Sequence, residues 1–309
     1  MNPSLKIVEV KQHDPSPAHI TWIINNICPN ACSYCPEQLH TGSNHNYDWN
    51  NARKFVELLL EKYKIIHLSI AGGEPSMSPF LPELVKMFHD RGHTVSLTTN
   101  GYKSPDYWRE ISECITDISF SYHPEFATEQ YFDNLNAASK ITKCGAKVMM
   151  LASHWDKCIE VLERLKQSNL YNIAPTRILK WGQNNSSADY NQEQLQWFTD
   201  NPPRNRLVSK IPLFADFYYD NGTVEKFGDT THAINQGLTN FKGYSCDVGL
   251  NSLFIGFSGF IKRGNCMAEG WIGDINQPDK IEWPTNPIIC PYTLCSCSSD
   301  VMINKKIIY

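Results

Sequence analysis

Cys28-Pro-Asn-Ala-Cys32-Ser-Tyr-Cys35 places three cysteines within eight residues, spaced C-x3-C-x2-C, just after the strand-like run His19-Ile-Thr-Trp-Ile-Ile-Asn25. Three thiolates this close can hold three corners of a soft-metal cluster and leave the fourth open. A structural zinc site closes with four ligands, whereas a [4Fe–4S] cluster on three cysteines keeps one iron free. A partial zinc site and free thiols, reactive or buried, are the competing readings.

Outward from this stretch, residues 19–178 alternate short β-branched runs with longer amphipathic ones. Strands are expected at Ile20–Asn25, Ile65–Ala71, Thr94–Thr99, Asp117–Ser121, Lys147–Leu151 and Asn172–Ile178. Helices are expected near Trp49–Tyr63, Phe80–Arg91, Asp106–Cys114, Thr128–Cys144 and Trp155–Gln167. Asp48 stands at an N-cap position. Ser78-Pro79 opens the second helix and Arg91-Gly92 closes it. Lys143-Cys144-Gly145 closes the fourth. Strands alternating with helices predict an α/β fold with a parallel sheet, either an open doubly wound sheet or a partial barrel.

Active sites on such scaffolds gather at the C-terminal ends of the strands. The expected strand ends carry the cysteine motif, Gly72-Gly73-Glu74-Pro75, Thr99-Asn100-Gly101, Ser121-Tyr-His123 and Thr176-Arg177. The paired glycines permit close backbone approach, and Asn100-Gly101 also suits a plain turn at positive φ. An arginine at 177 is suited to bidentate pairing with a carboxylate, with surface solvation as the alternative.

The cysteine spacing, Tyr34 just before its last cysteine, and Gly72-Gly73-Glu74-Pro75 at the next strand end together resemble the radical S-adenosylmethionine (radical SAM) superfamily. The resemblance implies a partial (β/α)6 TIM-like barrel. It implies a [4Fe–4S] cluster on Cys28, Cys32 and Cys35, whose open iron chelates S-adenosylmethionine and cleaves it to a 5′-deoxyadenosyl radical. By the same resemblance Tyr34, Gly72, Gly73, Glu74, Asn100 and Ser121 are cofactor-binding candidates, with Arg177 offered to a carboxylate. A flavodoxin- or ferredoxin-type reductant is the implied partner.

Beyond Trp181 the pattern changes. The expected organisation is a barrel over 1–182, a linker over 183–205 and a small α+β domain over 206–309. That last region carries hairpin candidates around Asn221-Gly222 and Ser258-Gly259, and five cysteines: Cys246, Cys266, Cys290, Cys295 and Cys297. They resemble the Twitch and SPASM extensions of radical SAM enzymes, which implies one auxiliary [4Fe–4S] cluster with one cysteine to spare. The C-x4-C-x-C ending departs from the usual C-x2-C, and a structural zinc is the alternative.

The 309-residue chain is 41% hydrophobic and 19% charged, with a net charge of −4. Nothing in that balance suggests a broad nucleic-acid footprint. No apolar run approaches the roughly 18–20 residues of a membrane span, and the N-terminus lacks the apolar core of a signal peptide. A cytoplasmic location is expected, where eleven cysteines speak for metal chemistry over disulfides. Cys114, Cys144 and Cys158 read as ordinary buried thiols. Fewer than 20 residues precede the first expected barrel strand, so a leader peptide would require a separate recognition protein or none. Three functions stay open: oxidative modification or cross-linking of a peptide, oxidation or rearrangement of a small molecule (sugar, amino acid or nucleoside), and a non-catalytic Fe–S or zinc module that transfers electrons.

Overall fold

The computed structural model describes residues 5–42, 47–178, 189–201, 214–228, 233–234, 236–295 and 298–308. The first half runs β1 (Ile7–Gln12), β2 (Pro17–Ile23), α1 (Trp49–Lys62), β3 (Ile65–Ala71), α2 (Leu81–His89), β4 (Thr94–Thr99), α3 (Pro105–Ser112), β5 (Asp117–Tyr122), α4 (Glu129–Ser139), β6 (Lys143–Met149), α5 (Trp155–Lys166) and β7 (Asn172–Thr176). Then follow α6 (Gln192–Asp200), β8 (Ala215–Tyr219), β9 (Val224–Phe227), β10 (Tyr244–Cys246), β11 (Ser252–Ile255), β12 (Phe260–Lys262), β13 (Trp271–Asp274), β14 (Ile288–Ile289) and β15 (Lys305–Ile307). The chain divides into two compact units. One is Ile24–His45 with Ile70–Lys210; the other is Met1–Ile23, Asn46–Ser69 and Ile211–Tyr309.

In the first of these units β4, β5, β6 and β7 pair in parallel, each with the next. One face of this sheet carries the helices. Phe120 meets Trp108 of α3 edge-on at 5.1 Å, and Tyr122 meets Tyr131 of α4 at 5.2 Å. Strand alternation then turns Ser119 and Ser121 to the other face. There Thr98 lies beside Ser119 and Ser121 beside Lys147 in the register. That second face is polar, and a row of hydroxyls with a lysine is not how a sheet fills an apolar core.

The other unit holds a six-stranded antiparallel sheet in the order β14-β10-β15-β1-β8-β9. Its core gathers Val10, Phe217, Phe227, Phe241, Tyr244 and Met302. A second set of strands pairs β11 in parallel with β2 and antiparallel with β12, which continues to β13. Helix α1 lies against β2, with Phe55 edge-on to Trp22 at 6.0 Å, and its N-cap Asp48 accepts from the amides of Asn50 and Asn51.

Three expectations need adjusting. The fourth helix stops at Ser139, not at Cys144, and Lys143–Met149 is β6. Thr142 Oγ1 donates to the carbonyls of Ile115 (2.7 Å) and Thr116 (2.9 Å), which turns the chain into the sheet after β-branched Ile141. The second helix opens at Leu81 with Pro82, not Pro79, in its first turn. Residues 211–309 do not stand apart, because β1 lies between β8 and β15 and β2 pairs with β11. Of the expected linker, α6 is formed with a capping box of Asn191 and Gln194, while 183–188 and 202–205 lie outside the described residues. Both expected hairpins form, with Gly222 at φ 84° and Gly259 at φ 87°. No helix among the described residues is long and apolar enough to cross a membrane.

Candidate active site

The cysteine motif sits on a loop closed at its base by a bridge between Ile27 and Thr41 and by the amide of Gly42 donating to Asn26 O at 3.0 Å. Within it the Cys35 amide donates to Cys32 O (2.9 Å). The loop leans on the Gly72-Gly73-Glu74 segment: Gly73 N–H donates to Asn25 O (2.9 Å) and Glu74 N–H to Ile27 O (2.6 Å). Here the structure explains the glycines. A Cβ on Gly73 would lie 2.4 Å from Ile27 O, and one on Gly72 would lie 2.8 Å from Asn25 O. The close approach they permit is to the base of the cysteine loop. Gly73→Ala is accordingly expected to lower stability by about 1–3 kcal/mol, the usual cost of overpacking. Urea unfolding checks this, with Gly256→Ala as comparison, because its φ is not positive and its Cβ position meets nothing closer than 3.8 Å.

Glu74 is fully buried. Its Oε1 accepts from the Ser76 amide (2.9 Å) and Thr99 Oγ1 (2.7 Å), and its Oε2 from the Asn100 amide (2.7 Å). Burial pushes its carboxyl up and these hydrogen bonds pull it back. A carboxylate offers about four acceptor positions, so three are committed to the protein. Asn100, held this way, directs Nδ2 at Cys28 Sγ (3.5 Å), and Gly101 beyond it takes φ 77°. The Asn-Gly turn and the contact with the cysteine loop are therefore both present. Buried Oδ1 atoms of Asn25 and Asn100 have no hydrogen-bond partner, and neither does the buried Tyr107 hydroxyl. Burying such groups unpaired costs about 1–3 kcal/mol each, so these atoms suit pairing with a polar ligand.

The loop after β5 closes over the cysteines. His123 Nδ1 lies 2.7 Å from the Tyr34 hydroxyl and 3.5 Å from Cys32 Sγ, with the planes of the Tyr34 and His123 rings 10° apart. Ser33 N–H donates to Glu125 Oε2 at 2.9 Å. Burial lowers His123 to about 4, so the ring is neutral at pH 7. Sequence reasoning gave the 123–125 segment no firm role; its only signal was its place at a strand end.

Burial pushes the Cys28 thiol up to about 11 and Cys32 to about 12, and each of these two also senses the charge of a neighbouring thiol; burial alone raises Cys35. Left alone they stay protonated, and a metal must displace those protons to bind. No three His, Cys, Asp or Glu side chains among the described residues form a preformed metal site. The donor set, three soft ligands on one short loop, nevertheless fits a [4Fe–4S] cluster. Ser121, 8% exposed, lies across from Lys147, a residue that the sequence reading passed over inside an otherwise apolar strand. Arg177 is exposed, its guanidinium 6.0 Å from the Tyr190 ring centroid and 5.8 Å from that of Phe198, apart from the Glu74–Asn100–Cys28 network.

In the other unit Cys246, Cys290 and Cys295 are buried in one core and Cys266 packs against it. The Cys290 amide donates to Tyr244 O (2.8 Å), and the Cys266 amide to Asp300 Oδ2 (2.8 Å). Cys297 lies outside the described residues. Asp300 and Lys305 went unnoticed in the sequence. Lys305, 3% exposed, donates to the carbonyls of Asp300 (2.5 Å), Val301 (3.2 Å) and Ile303 (2.9 Å), and so shapes the backbone that carries the Asp300 carboxylate to Cys266.

A sequence model described as the Radical SAM superfamily matches residues 22–179, just over half of the chain. The chain belongs to the radical SAM superfamily. A curated radical SAM relative, the S-adenosyl-L-methionine-dependent tRNA 4-demethylwyosine synthase of Methanocaldococcus jannaschii, is 30% identical over 128 residues, 41% of this chain and 34% of that protein. The PqqA peptide cyclase of Ruegeria pomeroyi is 33% identical over 89 residues, 28% of this chain and 23% of that protein. The chain thus spans about a third or less of the length of these relatives. Among solved structures, Streptococcus suis SuiB bound to S-adenosylmethionine superposes with a TM-score of 0.54 at 12% identity, covering 82% of this chain and 61% of SuiB. The structure of anSMEcpe with bound AdoMet and a peptide gives 0.53 at 14%, covering 84% and 78%. These likenesses establish a radical SAM partial-barrel α/β fold.

Proposed function

We propose that this protein is a radical SAM enzyme that abstracts hydrogen from a peptide and leaves it oxidised or cross-linked. The observation that carries the reading is the cysteine loop locked onto Glu74 and Asn100, beside buried polar atoms that lack partners. Cys28, Cys32 and Cys35 would hold a [4Fe–4S] cluster, which would supply the electron for reductive cleavage of S-adenosylmethionine. The chain's residues do the positioning. Glu74 fixes Asn100 against Cys28 and keeps one acceptor position for a cofactor amine. The carbonyl oxygens of Asn25 and Asn100 accept from a bound polar group. Tyr34, Gly72 and Gly73 border that group, Ser121 offers a hydroxyl to it, and Arg177 remains a candidate for a carboxylate. A low-potential flavodoxin or ferredoxin delivers the electron.

A peptide substrate is supported by the similarity to PqqA peptide cyclase, and by neighbours solved with a precursor peptide, SuiA on SuiB, and with a peptide on anSMEcpe. A small-molecule substrate is the second reading, favoured by a 28% identical relative named as an S-adenosylmethionine-dependent nucleotide dehydratase. We further assign one auxiliary [4Fe–4S] cluster to the second cysteine group, of which Cys246, Cys290 and Cys295 share a core that Cys266 packs against. Metal analysis after anaerobic reconstitution tests both assignments. About eight irons are expected in the native chain and about four in Cys28→Ala/Cys32→Ala/Cys35→Ala, which should form no 5′-deoxyadenosine. Retained cleavage in that variant would refute the catalytic assignment, and only about four irons in the native chain would remove the auxiliary cluster.

A further inference from the structure

The segment after β5 has more to do than cover the cysteines. His123 Nδ1 lies 2.7 Å from Tyr34 Oη and 3.5 Å from Cys32 Sγ, so one ring nitrogen brings the tyrosyl hydroxyl and the thiol together. The ring is held in place from several sides. Its plane lies within 10° of the Tyr34 ring, the amides of Phe126 and Ala127 donate to His123 O (3.0 and 2.8 Å), and Lys157 Nζ anchors the loop by donating to Pro124 O (2.7 Å). Glu125 pins the intervening Ser33 amide at 2.9 Å. A loop serving only as a lid needs none of this convergence on one sulfur.

We propose that His123 and Tyr34 are positioning residues that act as one hydrogen-bond relay onto the Cys32 sulfur and thereby set the reduction potential of the catalytic cluster. This rests on the cluster assignment above. An iron-bound thiolate accepts hydrogen bonds and has no proton to give. In the proposed relay His123 Nδ1–H donates to Tyr34 Oη, and the tyrosyl hydrogen turns to Cys32 Sγ. Hydrogen bonds to cluster sulfurs stabilise the extra negative charge of the reduced state and raise the potential. Removing either partner should therefore make the cluster harder to reduce.

The test is a potentiometric titration followed by EPR, without S-adenosylmethionine, on the reconstituted full chain. His123→Leu and Tyr34→Phe are each expected to lower the one-electron reduction constant about tenfold, or about 59 mV. The double variant should fall no further than either single one, because the relay is one unit. His123→Asn, whose amide nitrogen can occupy the place of Nδ1, should return most of the loss. Equal potentials in the native chain and both single variants at equal iron content would overturn the proposal, and so would additive shifts. The cluster-free chain gives an independent arm: Tyr34→Phe should move the imidazole 15N resonances of His123, and unmoved resonances contradict the contact. A native chain that binds no iron, while those resonances do move, would instead defeat the cluster assignment and the relay's purpose with it.

Discussion

Glu74→Ala is expected to lose about 3 kcal/mol or more of folding stability, because three donors that are now satisfied would be buried without an acceptor at about 1–3 kcal/mol each. The donors are the Ser76 amide, the Thr99 hydroxyl and the Asn100 amide. Glu74→Gln separates charge from shape. Its carbonyl oxygen can keep two of the three donors, but its amide nitrogen then faces either the Asn100 amide or the other pair, donor against donor. A cost of about 1–3 kcal/mol is expected for one broken contact. The two variants should also differ from a remote core substitution of equal cost. Asn100 would no longer be held toward Cys28, so iron content after reconstitution should fall as well. Urea unfolding with iron analysis on the same preparations checks this. A Glu74→Ala chain as stable and as iron-rich as the native one would show that the carboxylate is not the clamp.

The second large effect is on acid stability. His19 on β2 and His67 on β3 are 8% and 6% exposed, with ring centroids 5.7 Å apart. Burial lowers both to about 4; Asp14 favours the charged form of His19, and His19 disfavours that of His67. In the unfolded chain each titrates near 6.5. As pH falls below 6.5 the unfolded chain binds protons that the folded chain refuses until about pH 4, so stability falls with pH by about 1.4 kcal/mol per unit for each ring. Below the folded value the loss stops growing, at about 3 kcal/mol per ring. Asp117 works against this, because burial raises it to about 6, so its contribution is present at low pH and lost as pH rises toward 6. Glu74, also raised, acts in the same sense as Asp117. The histidine share is therefore read as a difference. The gap in unfolding free energy between His19→Gln/His67→Gln and the native chain should move in favour of the variant between pH 6.5 and 4. A gap that stays constant across that window would mean the rings are not held neutral by burial.

Much of the site was legible because its parts are local. The cysteine spacing lies on one loop, Gly72-Gly73-Glu74-Pro75 follows one strand, and each of the six expected barrel strands begins or ends within about two residues of one found, as period-2 burial allows. What escaped was non-local. The strand β1 is short and half-polar, and its partners β8 and β15 lie some two hundred residues away or more, so no neighbouring sequence announces it. The purpose of Gly72 and Gly73 depends on the carbonyls of Asn25 and Ile27, and the clamp on Glu74 on the chain after β4. Lys147 was hidden by Val148-Met-Met-Leu151, whose apolar run masked a lysine on the opposite face. The fourth helix was overextended because Lys140-Ile-Thr-Lys-Cys144 holds no Gly or Pro before Gly145, and only the tertiary bonds of Thr142 say where it must stop.

The most direct test of the account is the yield of 5′-deoxyadenosine from S-adenosylmethionine and dithionite, measured on anaerobically reconstituted native chain. The account predicts product that depends on reductant and disappears when Cys28, Cys32 and Cys35 are replaced together by alanine. A chain that carries its full iron and forms no 5′-deoxyadenosine, or one that takes up zinc in place of iron, would contradict it.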